Sequence, residues 1–268
     1  MIARTKKPIT VLLAALAVVA VNQVPASATA SQQSGRDATV TADGTRAARF
    51  ERWATITKIP GGYYYDAGQQ DTNLVITRVN GGVRFADSRT DVVRSKPDSC
   101  RKKQADRGVV VVCRVPGTVS PRNPMTIKVF TRLGNDTVDA SALPASLELY
   151  GLADAGRDTF KGGAGNDFVN GAQNRDRIWG GPGNDWLRGN LGDDDLYGGA
   201  GHDQLVGVYG HDWVVGGRGN DRVGGGPAND RLFAGPGDDF VLCGTGSDNV
   251  SAERLDRILQ DCESISRS

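Results

Sequence analysis

The stretch GGAGNDFVNGAQNRDRIWGGPGNDWLR, Gly162 to Arg188, holds the phrase Gly-Gly-x-Gly-Asn-Asp twice, eighteen residues apart, with a worn copy midway. Cutting every nine residues from Ala153 gives ADAGRDTFK, GGAGNDFVN, GAQNRDRIW, GGPGNDWLR, GNLGDDDLY, GGAGHDQLV, GVYGHDWVV, GGRGNDRVG, GGPANDRLF, AGPGDDFVL and CGTGSDNVS, eleven blocks with no insertion. Position six is always aspartate: Asp158, Asp167, Asp176, Asp185, Asp194, Asp203, Asp212, Asp221, Asp230, Asp239 and Asp248. Position eight is always apolar, from Phe160 to Val250. Two columns that stay clean at a fixed period signal a solenoid, in which each block is one unit stacked on its neighbours.

The phrase dictates its own local structure. One apolar residue flanked by two variable ones is a minimal strand, with one side chain in and two out. Glycines among the first six positions allow backbone shapes that other residues avoid. Six residues therefore turn and three extend, and two blocks close one coil. Stacked coils give an all-β fold, a parallel β-roll, with the position-eight side chains between two sheets. Strands about 4.8 Å apart make the array roughly 25 Å tall.

Such a roll lacks a driving force of its own. One apolar side chain per nine residues buries too little to offset the backbone entropy of ordering them. The roll also stacks aspartates one coil apart, where like charges repel. A cation between coils removes both problems. Calcium fits, since it takes six to eight oxygen ligands in flexible geometry, carboxylates and backbone carbonyls alike. Magnesium demands a tight octahedron, and zinc prefers nitrogen and sulfur. The position-six aspartates are the expected ligands, with turn carbonyls from glycines such as Gly162, Gly180, Gly198 and Gly216.

These blocks, Ala153 to Ser251, resemble the RTX nonapeptide, the hemolysin-type calcium-binding repeat of secreted bacterial proteins. The resemblance implies a parallel β-roll with calcium between coils, the position-six aspartate being a ligand alongside turn carbonyls. The closing CGTGSDNVSAERLDRILQDCE also resembles the end of small actinobacterial secreted proteins built on this repeat. Large toxins and proteases of the family leave by an exporter that reads an uncleaved C-terminal signal. This chain begins instead with an export-like segment, so those toxin and enzyme associations do not carry over.

Alternate blocks fall on opposite sides of the roll. One side is nearly intact and carries Asp167, Asp185, Asp203, Asp221 and Asp239, which predicts four strong intercoil sites. The other is degenerate: Asp154, Ala172, Asn190 or Val208 stands at position two, and Asn174 or Ala228 replaces the second turn glycine. Val does not tolerate positive φ, so calcium binding is expected to be weaker there, worst near Gln173 and Val208. Position nine of this side stacks Trp179, Tyr197, Val215 and Phe233, a ladder that a sugar or a partner surface could use, or that reflects the ordinary β preference of aromatics. His202 and His211 occupy position five, a turn-surface slot without soft ligands nearby, so no metal role is expected of them.

The rest of the chain frames the array. Arg4, Lys6 and Lys7, an apolar run from Ile9 to Val21, and small-x-small sites at 26–30 read as a signal peptide over 1–30. Secretion follows, with no membrane span expected. Residues 31–49 read as a disordered leader, and 50–130 as β-rich, with runs such as NLVITRV and VVVVCRV between Pro-Gly-Gly and Asn-Gly-Gly turns. Residues 131–152 hold a partial copy, Leu133 to Asp139, out of phase with the array, and read as an irregular first coil. Residues 252–268 read as a cap, either helical or a shortened rung. Four cysteines in an exported chain favour disulfides; their order suggests Cys100–Cys113 and Cys243–Cys262, among three connectivities. Both histidines lie in the glycine-rich half and no catalytic constellation is visible, so a non-enzyme is expected. A net charge of +1 gives no sign of a nucleic-acid partner; calcium is the expected one, with a cell-surface or glycan partner as the alternative.

Overall fold

The computed structural model describes residues 53–267 apart from Gln70, Asp91 and Gln260. The expected signal peptide and leader lie outside the described residues. Every element among these is a strand. The first seven are β1 (Trp53–Ile59), β2 (Gly62–Ala67), β3 (Asn73–Val79), β4 (Gly82–Asp87), β5 (Val92–Ser95), β6 (Cys100–Lys103) and β7 (Val109–Arg114). Pro60-Gly61 and Asn80-Gly81 close the hairpins β1–β2 and β3–β4, in which Ile59 pairs with Gly62 and Val79 with Gly82. Both turns need left-handed backbone, supplied by Gly61 (φ 79°) and Gly81 (φ 71°).

The roll starts with β8 (Met125–Phe130), β9 (Thr137–Ala142), β10 (Leu147–Leu152) and β11 (Thr159–Lys161). From there to Ser264–Arg267 the strands alternate between an 11-stranded and a 12-stranded sheet, each pairing in parallel with the strand two places on. The register is eighteen residues in the array, as in Phe168 opposite Trp186 and Ile178 opposite Leu196, so two blocks do form one coil. Position-eight side chains lie between the sheets with no exposure, Phe160, Ile178, Leu187, Leu196 and Leu205 among them.

Three expectations need correction. Most strands of the array are six residues long rather than three, as in Trp186–Leu191, and run on through the first three positions of the next block; Thr159–Lys161 and Arg231–Phe233 keep the expected three. The roll has eight coils, more than eleven blocks supply, because rungs are added at both ends. The segment 131–152 is regular in its strands: β9 pairs with β11 through Val138 and Phe160, and β10 with β8 through Leu149 and Ile127. Its irregularity sits in the turn between β9 and β10, which breaks the sequence period without breaking the pairing. At the far end the cap is a shortened rung, not a helix. Arg257–Ile258 lies on Phe240–Val241, and Ser264–Arg267 on Asn249–Ala252.

The N-terminal hairpins are spliced onto the roll, one per sheet. β2 lies parallel on β8 and β3 parallel on β9. Their inward residues, including Ile56, Tyr63, Tyr65, Leu74, Ile76 and Phe85, continue the core of the roll without a break. Beyond them β6 forms the outer strand of its sheet, with Arg101, Lys102 and Lys103 all exposed, a charged edge that discourages further pairing. Cys100 is bonded to Cys113 across β6 and β7, and Cys243 to Cys262 across the last rung.

Candidate metal centre

Each turn is shaped by its second and fourth residues. Gly181 (φ 107°) and Gly183 (φ 140°) on the intact side show the left-handed backbone that only glycine adopts freely. The degenerate side keeps left-handed backbone with residues other than glycine. Ala172 (77°), Asn190 (82°) and Val208 (93°) hold it at position two, Asn174 (72°) and Ala228 (88°) at position four. Their φ values, 72–93° against 101° or more at the left-handed turn glycines of the array, are shifted but stay left-handed, which strains a residue with a Cβ.

The first glycine does something other than turn the chain. Gly180, Gly198 and Gly216 lie within six-residue strands and Gly162 directly follows β11, all outside the left-handed region. A Cβ added at Gly180 would lie 2.2 Å from Asp185 Oδ2 and 2.7 Å from the carbonyl of Gly198. At Gly198 it would meet the Gly216 carbonyl at 2.4 Å and Asp203 Oδ2 at 2.5 Å, and at Gly162 the Gly180 carbonyl and Asp167 Oδ2 at 2.2 and 2.3 Å. The missing Cβ makes room for a carboxylate, and a carbonyl one coil on faces the same space. That reason for the glycine is invisible in the sequence, where it reads as one more bend.

All eleven position-six aspartates are buried and stack in two columns. Within a column each N–H donates to Oδ1 of the next aspartate: Asp167 to Asp185 at 2.7 Å, Asp185 to Asp203 at 2.8 Å, Asp176 to Asp194 at 2.7 Å. One oxygen of each carboxylate is thus used. The other is left over: Oδ2 of Asp158, Asp176, Asp185, Asp194, Asp203, Asp212, Asp221, Asp230, Asp239 and Asp248 is buried with no hydrogen-bond partner. Asp167 is the exception. Its Oδ1 accepts the N–H of Leu149, which stands where the previous rung would carry an aspartate, and its Oδ2 that of Gly163 in its own turn, both at 2.6 Å. Burial raises these carboxyls from 3.8, to about 9 for Asp176, about 8 for Asp185, about 7 for Asp212 and about 6 for Asp194, with column neighbours adding to the first three.

The columns run past the repeats. Asp239 N–H donates to Asp256 Oδ1 at 3.0 Å and Asp248 N–H to Glu263 Oε2 at 3.1 Å, residues the sequence reading did not place. A second, outer ladder runs through position five. Asn166 Oδ1 accepts the N–H of Asn184 at 2.9 Å, Asn184 that of His202 at 2.8 Å, and His202 Nδ1 that of Asn220 at 2.9 Å. His211 Nδ1 plays the same part for Asn229 at 3.1 Å. The histidines are exposed rungs of a backbone ladder.

Trp179 and Tyr197 stack face to face, 5.4 Å apart, but Phe233 packs on Trp213 at 4.6 Å, so the expected ladder splits into two pairs. The other sheet carries an unexpected aromatic column, with Tyr150 stacked on Phe168 at 4.7 Å and Phe168 against Trp186 at 5.2 Å. No helix among the described residues is long and apolar enough to cross a membrane.

The donor set fits a hard cation. Ten repeat carboxylates present a buried, unpartnered oxygen, a group that costs free energy unless something binds it. The oxygens lie in cradles that a single Cβ would fill, beside backbone carbonyls, the ligand types that calcium takes. Comparison with known families agrees. The RTX calcium-binding nonapeptide repeat matches residues 152–178, 171–205 and 206–241. Neither curated proteins nor solved structures give a match. By fold, donor set and repeat, residues 152–241 are RTX-type calcium-binding nonapeptide repeats wound into a parallel β-roll.

Proposed function

We propose that this protein is exported, takes Ca2+ between successive coils of its roll, folds the roll as it does so, and catalyses no reaction. The observation that carries the reading is the run of buried, unpartnered Oδ2 oxygens, repeated coil after coil. The position-six aspartates would hold the ions, with first-position carbonyls such as those of Gly180, Gly198 and Gly216 beside them. Bound calcium supplies the positive charge that offsets both carboxylate repulsion and desolvation. The protein's part is to fix the ligands: Oδ1 is tied to a backbone N–H, which aims Oδ2 at the cradle. The ligand set comes from different coils and does not exist in the unfolded chain, so binding free energy becomes folding free energy. Extracellular calcium modules bind at about 10⁻⁴–10⁻³ M, which suits a chain that stays unfolded until it leaves the cell.

Far-UV circular dichroism of residues 31–268, chelated and then titrated with calcium, tests the reading. A rise in β signal at sub-millimolar to millimolar calcium, unmatched by magnesium, is expected. A spectrum already complete and indifferent to calcium would refute it and leave the repeats as scaffold. The alternative, a surface- or glycan-binding module, rests on the stacked pair Trp179–Tyr197. A pull-down on cell-wall glycan that depends on both residues would favour it.

A further inference from the structure

The aspartate column of the degenerate side begins one rung before the repeats. Asp136 is 1% exposed and lies 22 residues before Asp158, out of phase with the period. Its N–H donates to Asp158 Oδ1 at 2.7 Å, the same link that joins every later pair. Its own Oδ1 accepts the N–H of Thr72 at 2.5 Å, immediately before β3. Its Oδ2 has no partner, and neither has that of Asp158.

A third buried oxygen is orphaned on this rung. Thr131 Oγ1 is unpartnered, and Thr131 is 2% exposed. Thr131 stands five residues before Asp136, as each first glycine stands before its aspartate. Its N–H bonds to the Leu152 carbonyl at 3.0 Å, as that of Ala153 does to Asn170 one coil on, which places it in the first-position column. At Gly171, Gly189, Gly207 and Gly225 of that column a Cβ would come within 2.0–2.3 Å of the carboxylate of the same block. Thr131 puts a hydroxyl where the repeats leave space. The site therefore offers an oxygen that no repeat has.

Two carboxylate oxygens and a hydroxyl, all buried and unpartnered, are costly in a metal-free protein and suited to a hard cation. We propose that Thr131, Asp136 and Asp158 form a calcium site outside the repeat array, at the joint where β3 meets the roll. One ion there fastens the N-terminal strands to the first coil. The link runs through Thr72: its N–H is held by Asp136, and two residues on Leu74 pairs with Val138 in the core. The outer ladder crosses the same joint, since Asp71 Oδ1 accepts the N–H of Asn135 at 2.9 Å. The inference rests on the calcium reading of the repeats.

The test uses residues 31–268 as wild type, Thr131→Val and Asp136→Asn. Bound calcium per chain is counted by equilibrium dialysis, and hydrogen exchange is followed at 73–79 and 177–218 with and without calcium. Wild type is expected to gain calcium-dependent protection in both segments. Asp136→Asn is expected to bind one ion fewer and to lose the gain at 73–79 while keeping it at 177–218. Thr131→Val, which keeps the shape and removes one oxygen, weakens the same site by about tenfold or more. Full stoichiometry in Asp136→Asn, or protection at 73–79 that is equal without calcium in the wild type, would overturn the joint site and leave the repeats intact. A wild type that binds no calcium would overturn both readings. Should Asp136→Asn fail to fold, Thr131→Val and the wild-type exchange still decide.

Discussion

Two buried aspartates show how the halves of this molecule differ. Asp87, in the N-terminal strands, is 1% exposed and fully provided for. Its Oδ1 accepts the N–H of Asn73 at 3.2 Å and of Arg89 at 2.9 Å, and its Oδ2 accepts the hydroxyls of Tyr65, at 2.8 Å, and Thr90. Asp185, in the roll, is equally buried at 2% but has one oxygen bonded and one orphaned. The N-terminal strands bury Tyr63, Tyr65, Phe85 and Ile76, large side chains, whereas the repeats bury about one apolar side chain per block. The N-terminal strands are complete with protein groups alone. In the roll, ten of the eleven repeat aspartates leave one carboxylate oxygen without a protein partner.

The largest effect that follows is regional. Removal of calcium should collapse hydrogen-exchange protection across 168–218 while residues 54–67 and 82–87 keep theirs. Exchange by mass spectrometry with and without a chelator reads this directly. Equal loss in both regions would show that the N-terminal core cannot stand without the roll, and the contrast drawn from Asp87 and Asp185 would be wrong.

Proton binding gives the next effect. In the calcium-free fold the column carboxyls lie above 3.8, at about 6 for Asp194, about 8 for Asp185 and about 9 for Asp176, chiefly through desolvation. The folded state then binds more protons than the unfolded one. Stability falls as pH rises between the unfolded value and these folded ones. Chelated protein should therefore keep more of its roll, read as β signal in far-UV circular dichroism, at pH 5 than at pH 8. With calcium the order reverses, because the ion needs ionised carboxylates. A chelated protein that is more stable at pH 8 would contradict the buried, unpartnered state of these groups.

Much of this was legible in the residues, and the exceptions have physical causes. The period, the aspartate columns, the position-eight core and the order of the cysteines are carried by side chains that recur in phase. Asp136, Asp256 and Glu263 extend the columns at offsets of 22, 17 and 15 residues. Insertions and deletions in turns break a sequence period, while parallel pairing restores the register in space. The splice of β2 and β3 onto the roll was hidden for a similar reason. Ile127 and Val129 alternate as strand residues do, but carry no glycine or aspartate to connect them with the repeats. The aromatic column Tyr150, Phe168 and Trp186 lies at position seven of the intact side and starts at Tyr150, before the repeats, so the nine-residue period of the array does not reveal it.

A smaller effect compares the two sides of the roll. Asp185→Asn with Asp203→Asn removes two charges from the intact column; Asp176→Asn with Asp194→Asn does the same on the degenerate one. The first pair is expected to cost more calcium affinity, by about tenfold or 1.4 kcal/mol, since its turns are all glycine where the backbone needs it. Isothermal titration of both variants measures the difference. The structure makes the comparison demanding, because the orphaned oxygens are no fewer on the degenerate side. Equal losses would mean that strain in the turns does not reach the ions.

The smallest effect isolates that strain. Val208 holds φ at 93° in a column where Gly226 and Gly244 hold 129° and 103°. A β-branched residue there costs about 1–3 kcal/mol. Val208→Gly removes that cost but returns about 0.5–1 kcal/mol through the greater freedom of glycine in the unfolded chain. A net gain of about 1 kcal/mol follows, or a Tm higher by about 2–4 °C for a chain of this size. Gly199→Val makes the reciprocal change at the same position on the intact side, where φ is 119° and a Cβ would lie 2.1 Å from the carbonyl of Gly181. It should lower the Tm by more than Val208→Gly raises it, because the new side chain meets that carbonyl as well as straining the backbone. If Val208→Gly lowers the Tm instead, the valine contributes packing that outweighs its backbone. The degenerate side would then be a variant built around its side chains, and its ion sites should be as tight as those opposite.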